Sequence, residues 1–367
     1  MAGRVRVAVL FGGRSGEHEV SLRSAATILG GLDPARYDAI PVAVTHDGRW
    51  WTGADTLRLL DEAQRALRPI AAHGTRVTLL PEPGRDALVP VDGGAPIPID
   101  VVFPVLHGTF GEDGTLQGLL DLAAIPYVGS GVLASSVGMD KAAMKAVFRD
   151  AGLPVCRWIV VRPEHEAAGA VAARVATELG WPCFVKPANM GSSVGVAKAH
   201  DAAALATALA DAAAWDAKVL VEEAVDAREL ECAVLGNDAP DASVVGELIP
   251  SREFYDYRDK YVDDAARTVI PAEIPPGTAE RVRRLAVRAF QAVDASGLAR
   301  VDFFLDRKSG AAVLNEINTM PGFTRISMYP RLWEASGLPL PALLDRLVAL
   351  ARERHAARGK RRLAFSS

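Results

Sequence analysis

Cysteine, excess basic charge and long hydrophobic runs are all scarce in this sequence of 367 residues. The three cysteines, Cys156, Cys183 and Cys232, have no paired spacing, which excludes a disulfide framework and a CxxC metal site. A formal net charge of −4 provides no basic field for a nucleic acid backbone. The apolar run Val5–Phe11 is too short for a membrane span and carries a charge. We therefore expect a cytoplasmic enzyme or binding protein without a nucleic acid or membrane partner.

The length of the chain predicts two or three domains, because a single core seldom grows so large. Strands and helices alternate in the first part, which predicts a mostly parallel sheet covered by helices. A stretch rich in Gly and Ser around Pro126–Gly138 marks the first boundary. The predicted units are an N-terminal α/β domain (1–127), a central subdomain (128–217), a C-terminal subdomain (218–352) with a lid loop (251–266), and a flexible basic tail (353–367).

The most informative pattern is a predicted β-hairpin near the C-terminus. Side chains alternate along a strand, so Arg300 and Asp302 share one face, and Leu314, Glu316 and Asn318 share a face of the return strand. Two carboxylates and an amide that face one another favour Mg²⁺, which completes its shell with water and phosphate oxygens. The alternative is a solvated face on an edge hairpin.

A second pattern is a Gly/Ser loop that joins two predicted strands. Its glycines, Gly191 and Gly195, free backbone N–H groups to approach phosphate oxygens, while Ser192 and Ser193 add donors and Lys186 adds a charge. It is not a Walker A loop, because the lysine precedes the glycines. A Gly/Ser hairpin without a ligand is the alternative.

The first loop, Gly12–Glu19, follows the first predicted strand. GxGxxG is absent, and the second strand ends at Val42–Thr45 without the acid that would bind a ribose, so a dinucleotide site is disfavoured. We expect Glu17 to project into a crevice where a cationic ligand meets it. The alternative is that this glutamate only complements the dipole of the following helix.

Three further features have both a functional and a structural interpretation. Arg300 is suited to bind a carboxylate and a transferred phosphoryl group, or to pair with Asp302 or Glu316. The segment 254–261 carries four aromatic residues and is interpreted as a lid that closes over a site. His107 ends a buried strand before a Gly-rich turn, where a structural histidine is equally expected.

Seven local motifs occur in a fixed order: GGRSGEHEVS from Gly12, HG…GEDG from His107, MDK from Met139, GSSVG from Gly191, EFYDY…KY from Glu253, RVD from Arg300 and NEINTMPG from Asn315. With these motifs the sequence resembles the D-alanine–D-alanine ligases of the ATP-grasp group over about residues 5–349. The resemblance implies an N-terminal Rossmann-like parallel sheet domain followed by a two-part ATP-grasp fold. It also implies a homodimeric, ATP-dependent enzyme that joins two D-alanines through an acyl phosphate for peptidoglycan synthesis.

The resemblance further implies roles for individual residues. Catalytic roles would belong to Glu17, His107, Ser192, Tyr261, Arg300 and Gly322. Contacts with ATP would come from Lys141, Lys186, Ser193, Glu222, Glu229 and Lys260. The D-alanines would meet Glu17, Ser327 and Met328. Two Mg²⁺ or Mn²⁺ ions would be held by Asp302, Glu316 and Asn318.

Several of these roles are more specific. Glu222 would face the adenine and Glu229 the ribose, while Lys260 would reach the γ-phosphate. Ser192 and Tyr261 would bond with Glu17 and lock the lid. The resemblance associates Tyr261 with amide formation, which favours D-alanine over D-lactate as the acceptor. The alternatives are a D-alanine–D-lactate ligase, another ATP-grasp ligase such as a biotin carboxylase or a glycinamide-type synthetase, and a non-enzymatic nucleotide-binding protein.

Overall fold

The structure is a computed structural model that describes residues 3–66, 68–250 and 267–362. In these residues the strands form three sheets of seven, four and five strands. The predicted lid loop, 251–266, lies outside the described residues. None of the helices in the described ranges combines the length and apolar character that crossing a bilayer requires.

The N-terminal sheet has the strand order β6-β5-β4-β3-β2-β1-β7. Its strands are β1 (Val5–Gly12), β2 (Tyr37–Val44), β3 (Trp50–Thr52), β4 (Thr75–Leu79), β5 (Ala87–Pro90), β6 (Ile97–Pro98) and β7 (Val101–Val105). The accompanying helices are α1 (His18–Gly31), α2 (Thr56–Ala66) and α3 (Thr115–Leu122). The interior of β1 is buried on both faces, which explains its unbroken apolar run.

The prediction of a mostly parallel N-terminal sheet is wrong. Only the pairs β1–β2 and β1–β7 are parallel, and β2 to β6 pair antiparallel in succession. The links from β2 to β3, from β4 to β5 and from β5 to β6 are short, and a parallel pair would need a long crossover. The longer link from β3 to β4 contains α2, and these two strands also pair antiparallel.

The second sheet has the order β10-β9-β11-β8, and all its pairs are antiparallel. Its strands are β8 (Trp158–Val161), β9 (Cys183–Pro187), β10 (Ala197–Ala199) and β11 (Val219–Glu223). The helices that follow Gly131 in this region are α4 (Val132–Met139), α5 (Lys141–Asp150), α6 (Ala168–Glu178) and α7 (Ala202–Ala213). Strand β11 pairs with β8 and β9 and therefore belongs to the second sheet. We predicted a boundary at residue 217, whereas the division between the second and third sheets comes after β11.

The third sheet has the order β14-β13-β12-β15-β16 and is also antiparallel throughout. Its strands are β12 (Ala227–Gly236), β13 (Asp241–Ile249), β14 (Arg267–Val269), β15 (Gly297–Asp306) and β16 (Ala312–Asn318). Its helices are α8 (Pro276–Ala292), α9 (Met328–Ala335) and α10 (Leu340–Gly359). Side chains of α4 and α5 pack into the core of this sheet, so they join the first boundary region to the C-terminal subdomain.

The predicted flexible tail from residue 353 is wrong up to the end of α10. That helix continues to Gly359, and its leucines pack into a core shared with β1 and β7. Arg354 donates hydrogen bonds to the carbonyls of Tyr127 and Gly129, and its guanidinium lies 4.3 Å from the centre of the Tyr127 ring. Arg358 pairs with Asp121. These contacts fix the basic helix end against the N-terminal domain.

Candidate active site

A cleft of about 940 Å³ opens between the three sheets. It is lined by fifteen of the predicted site residues: Glu17, His107, Lys141, Lys186, Ser192, Ser193, Glu222, Glu229, Arg300, Asp302, Glu316, Asn318, Gly322, Ser327 and Met328. The other two, Lys260 and Tyr261, lie outside the described residues. Motifs separated by up to 311 positions in the chain therefore share one cavity.

The two predicted metal acids lie directly opposite each other on β15 and β16. The strand register pairs Asp302 with Glu316 and Arg300 with Asn318. A register shift follows Asp302, where Asn315 is the extra residue of a β-bulge. The bulge turns Leu314 into the core opposite Phe303, so our expectation that Leu314 shares the face of Glu316 is wrong.

By its chemistry this donor set suits a magnesium ion, and in this structure Asp302 accepts hydrogen bonds from Arg300 and from Nδ2 of Asn318. Within the described ranges, no group of three or more His, Cys, Asp or Glu side chains is arranged to hold a metal. Asp302, Glu316 and Asn318 offer two carboxylates and an amide, which leaves further coordination positions for water and phosphate oxygens. Mg²⁺ prefers such a partly open site with few protein oxygens.

Arg300 extends beside these acids. Its Nε and Nη2 lie 2.7 Å and 2.6 Å from the two carboxylate oxygens of Asp302, and Nε lies 3.1 Å from Oε2 of Glu231. Burial opposes the charged form, but Asp302 and Glu231 raise the pKa of Arg300 well above its ordinary value. The predicted ion pair with Asp302 is thus present, and the guanidinium still lines the cleft.

Loops from two sheets converge on the carboxylate of Glu17. The hydroxyl of Ser192 donates a hydrogen bond to Oε1 of Glu17. A side chain on Gly191 would place its Cβ 2.5 Å from Oε2 of Glu17, and one on Gly108 would place it 2.9 Å away. Both motif glycines are therefore needed for the close approach of this carboxylate. Glu17 immediately precedes α1, and its carboxylate faces the cleft.

Two lysines reach the cleft from the central region. The Nζ of Lys141 donates to the carbonyl of Met190 at 2.7 Å and lies 4.0 Å from Oε2 of Glu316. Asp140 accepts the N–H groups of Ala142 and Ala143 and so begins α5 directly before Lys141. Lys141 therefore links the Gly/Ser loop to the acid pair.

Lys186 lies on β9 and is held by Glu222 on the neighbouring strand β11. Its Nζ lies 2.7 Å from Oε2 of Glu222, and Lys145 approaches the other oxygen at 3.3 Å. Burial alone would raise the pKa of the Glu222 carboxyl, but Lys145 and Lys186 lower it to about 2. We expected Glu222 to face the adenine. In the structure its carboxylate is occupied by two lysines, so the side chain supports Lys186.

The C-terminal wall carries the predicted amino-acid contacts. A side chain on Gly322 would place its Cβ 2.9 Å from Oγ of Ser327, so this wall is tightly packed. Oγ of Ser327 accepts the N–H of Thr324 at 3.0 Å, and α9 begins at Met328. Glu229 on β12 lies opposite Phe304 in the strand register and also lines the cleft.

His107 has both ring nitrogens engaged. Nδ1 lies 3.0 Å from the carbonyl of Met320 and donates to it, and Nε2 lies 3.1 Å from Oγ of Ser24. Burial lowers the pKa of His107, which favours the neutral ring that this pattern requires. The N–H of Phe323 donates to the same Ser24 oxygen. These contacts hold the loop at 320–323, and the catalytic role implied for His107, which lines the cleft, stays a prediction.

The sequence reasoning missed three charged residues of the site. Glu231 pairs with Arg300, Lys145 pairs with Glu222, and Glu112 lines the cleft near Glu17. Glu231 follows Glu229 at a spacing of two on a strand, and Lys145 follows Lys141 at a spacing of four on a helix. Both spacings indicate a shared face, but neither reveals the partner.

Glu112 has a perturbed carboxyl group. Its Oε1 accepts the N–H of Gly108 at 2.8 Å. Burial and the nearby charge of Glu17 raise the pKa of Glu112 to about 8 from an ordinary value of 4.5. The folded state therefore holds an extra proton between these values, and stability falls as the pH rises towards 8.

We expect Glu112→Gln to remove this pH dependence, because glutamine resembles the neutral acid and can still accept the Gly108 N–H. The melting temperature of the variant should exceed that of the wild type by about 6 °C at pH 9, which corresponds to roughly 5 kcal/mol for a pKa raised from 4.5 to about 8, and match it near pH 4.5. Thermal unfolding across this range measures the effect, with Glu82→Gln at an exposed position as control. If the melting temperatures of the variant and the wild type changed with pH in parallel, this prediction would be contradicted.

Two family descriptions cover most of the chain. "D-ala D-ala ligase N-terminus" matches residues 6–130, and "D-ala D-ala ligase C-terminus" matches residues 147–349. The chain belongs to the D-alanine–D-alanine ligase family. The family confirms the two-part ATP-grasp fold that the sequence predicted for the second and third sheets, and it makes the protein a ligase.

Individual relatives agree with this family over nearly their whole length. A D-alanine–D-alanine ligase from Heliobacterium modesticaldum is 50% identical over 354 residues, with 95% of each chain covered. The structure of a D-alanine–D-alanine ligase from Coxiella burnetii is similar with a TM-score of 0.85 at 37% identity, covering 98% of this chain and 97% of that one. The D-Ala:D-Ser ligase VanG from Enterococcus faecalis is similar with a TM-score of 0.83 at 35% identity, covering 95% of this chain and 100% of that one.

Proposed function

We propose that this protein joins two D-alanine molecules to D-alanyl-D-alanine with the conversion of ATP to ADP and phosphate. The proposal is supported above all by one observation: fifteen residues predicted from scattered motifs line a single cleft. Membership of the family supports it as well. The dipeptide would supply peptidoglycan precursor synthesis. We further propose that the enzyme is cytoplasmic and homodimeric.

The chemistry follows from the low reactivity of a carboxylate towards amines. An oxygen of the first D-alanine carboxylate attacks the γ-phosphorus of ATP, ADP leaves, and an acyl phosphate forms. Lys141 and Lys186 would bind phosphate oxygens and offset the charge that develops, as in other phosphoryl transfers. Asp302, Glu316 and Asn318 would hold Mg²⁺ or Mn²⁺, which when bound neutralises charge on the phosphates.

The first substrate carries an ammonium group, for which the cleft provides an acid. Glu17 lies between Gly108 and Gly191, and its position is fixed by Ser192. An ammonium bound there leaves the substrate carboxylate free to point towards the acids of β15 and β16. We propose that Glu17 binds the first D-alanine by this ion pair.

The second step makes the amide. The deprotonated amine of the second D-alanine attacks the acyl carbon, and phosphate leaves. We propose that Arg300 and the backbone N–H of Gly322 stabilise the negative oxygen that develops on that carbon. Ser327 and Met328 at the start of α9 would receive the carboxylate of the second D-alanine, because helix N-termini favour anions.

We expect phosphate release from ATP and Mg²⁺ to require D-alanine and to be negligible with L-alanine or no amino acid. Membership of the family supports this expectation, since the ammonium and the carboxylate are common to both enantiomers and only the side of Cα that carries the methyl group differs. Parallel reactions with D-lactate or D-serine beside D-alanine, analysed by mass spectrometry, identify the acceptor. Equal phosphate release under all conditions would contradict a ligase, and a dominant ester product would contradict D-alanine as the acceptor.

A further inference from the structure

A fully buried lysine lies behind the part of the cleft that Lys186 and Glu222 line. Lys145 is 1% exposed and does not line the cleft. Its Nζ lies 3.3 Å from Oε1 of Glu222, and within the described ranges no atom accepts a well-formed hydrogen bond from it. Burial of an ammonium group is costly unless an opposite charge compensates it. The carboxylate of Glu222 supplies that compensation.

Glu222 is shared between two lysines that differ in exposure. Its Oε1 faces Lys145 and its Oε2 faces Lys186, and the side chain of Glu222 is 2% exposed. Of these two lysines, only Lys186 lines the cleft. The three groups together carry two positive charges and one negative charge, so one positive charge remains and is presented to the cleft through Lys186.

We propose that Lys145 is a positioning residue for the nucleotide site. Its ammonium compensates the charge of Glu222 from the buried side, so that the ammonium of Lys186 remains available to attract phosphate. This inference deepens the proposed function and rests on its nucleotide site. Without Lys145, Glu222 and Lys186 would form a neutral pair. The ammonium of Lys186 would then be drawn back towards Glu222, and the net charge that faces a polyphosphate would vanish.

The first test compares nucleotide affinities by calorimetry. We expect Lys145→Met, which keeps the volume but removes the charge, to weaken ADP binding about tenfold or more and to leave adenosine binding unchanged. Arg149→Met is the matched control, since it removes the same charge from the exposed side of the same helix. Its ADP affinity should equal that of the wild type. Unchanged ADP affinity in Lys145→Met would overturn the inference.

A double variant separates this role from a purely structural one. In Lys145→Met/Glu222→Gln the buried pair is gone, and Lys186 again carries one uncompensated positive charge. We expect ADP affinity to recover most of the loss, whereas a lysine that only stabilises the fold predicts no recovery. Melting temperatures confirm that each variant is folded. If the wild type does not bind ADP, the proposed function fails; if it binds ADP and the double variant recovers nothing, only this inference fails.

Discussion

Replacing Glu316 with glutamine should reduce D-alanine-dependent phosphate release by about 10³-fold. Glu316 lies opposite Asp302 in the strand register and 4.0 Å from Nζ of Lys141. Its loss would leave Asp302 as the one carboxylate of the proposed metal site, and charge stabilisation of this kind is worth several kcal/mol in phosphoryl transfer. Steady-state kinetics at saturating D-alanine measure the loss.

A matched variant and a binding measurement make this prediction specific. Glu280→Gln removes a carboxylate from an exposed position on α8, where it pairs only with neighbouring arginines among the described residues. It should retain full activity. Calorimetry should also show that Mg²⁺ strengthens ADP binding less in Glu316→Gln than in the wild type. Near-normal turnover together with an unchanged Mg²⁺ effect would remove Glu316 from the metal site.

The composition of the site could be predicted from the sequence because its chemistry is local. Alternation along β15 placed Arg300 and Asp302 on one face, and the short turn to β16 brought Glu316 opposite. Glycines beside a lysine indicated the loop at 186–195, whose Ser192 does contact Glu17. Spacing within one motif indicated the hairpin geometry, whereas the contact between Ser192 and Glu17, 175 positions apart, was expected only from the resemblance to the family.

The remaining errors arose where tertiary packing, and not the local sequence, determines the structure. The bulge at Asn315 depends on how β16 fits β15, and no residue type there announces it. The sequence of β11 is that of any short apolar strand, and it does not indicate which strands pair with β11 in the second sheet. The helix α4 was hidden by its Gly and Ser residues, which have low helix propensity. Its Ala134 and Val137 pack against the third sheet.

The sequence also could not predict which charged side chains are buried. Nothing in the sequence singles out Lys145 and Glu231, because charged side chains are seldom fully buried. Each is buried here against one partner of opposite charge, Glu222 and Arg300 respectively. Those partners lie 77 and 69 positions away in the chain. Only the fold reveals such pairs, and both support residues that the motifs had already indicated.

Glu17→Gln should lower kcat/KM for the first D-alanine by about 10²- to 10³-fold, because a neutral amide cannot replace the charge that meets the ammonium. Steady-state kinetics with varied D-alanine measure the loss, and ADP affinity should stay unchanged. Glu19→Gln is the matched control, since that residue lies two positions away in the first turn of α1 and does not line the cleft.

A second variant separates the position of this carboxylate from its charge. Gly191→Ala would place a Cβ 2.5 Å from Oε2 of Glu17 and so displace a group whose charge is intact. We expect it to raise KM for D-alanine in the same direction as Glu17→Gln. If Gly191→Ala had no effect while Glu17→Gln did, the charge alone would matter, and the close contact between the first loop and the Gly/Ser loop would have no part in substrate binding.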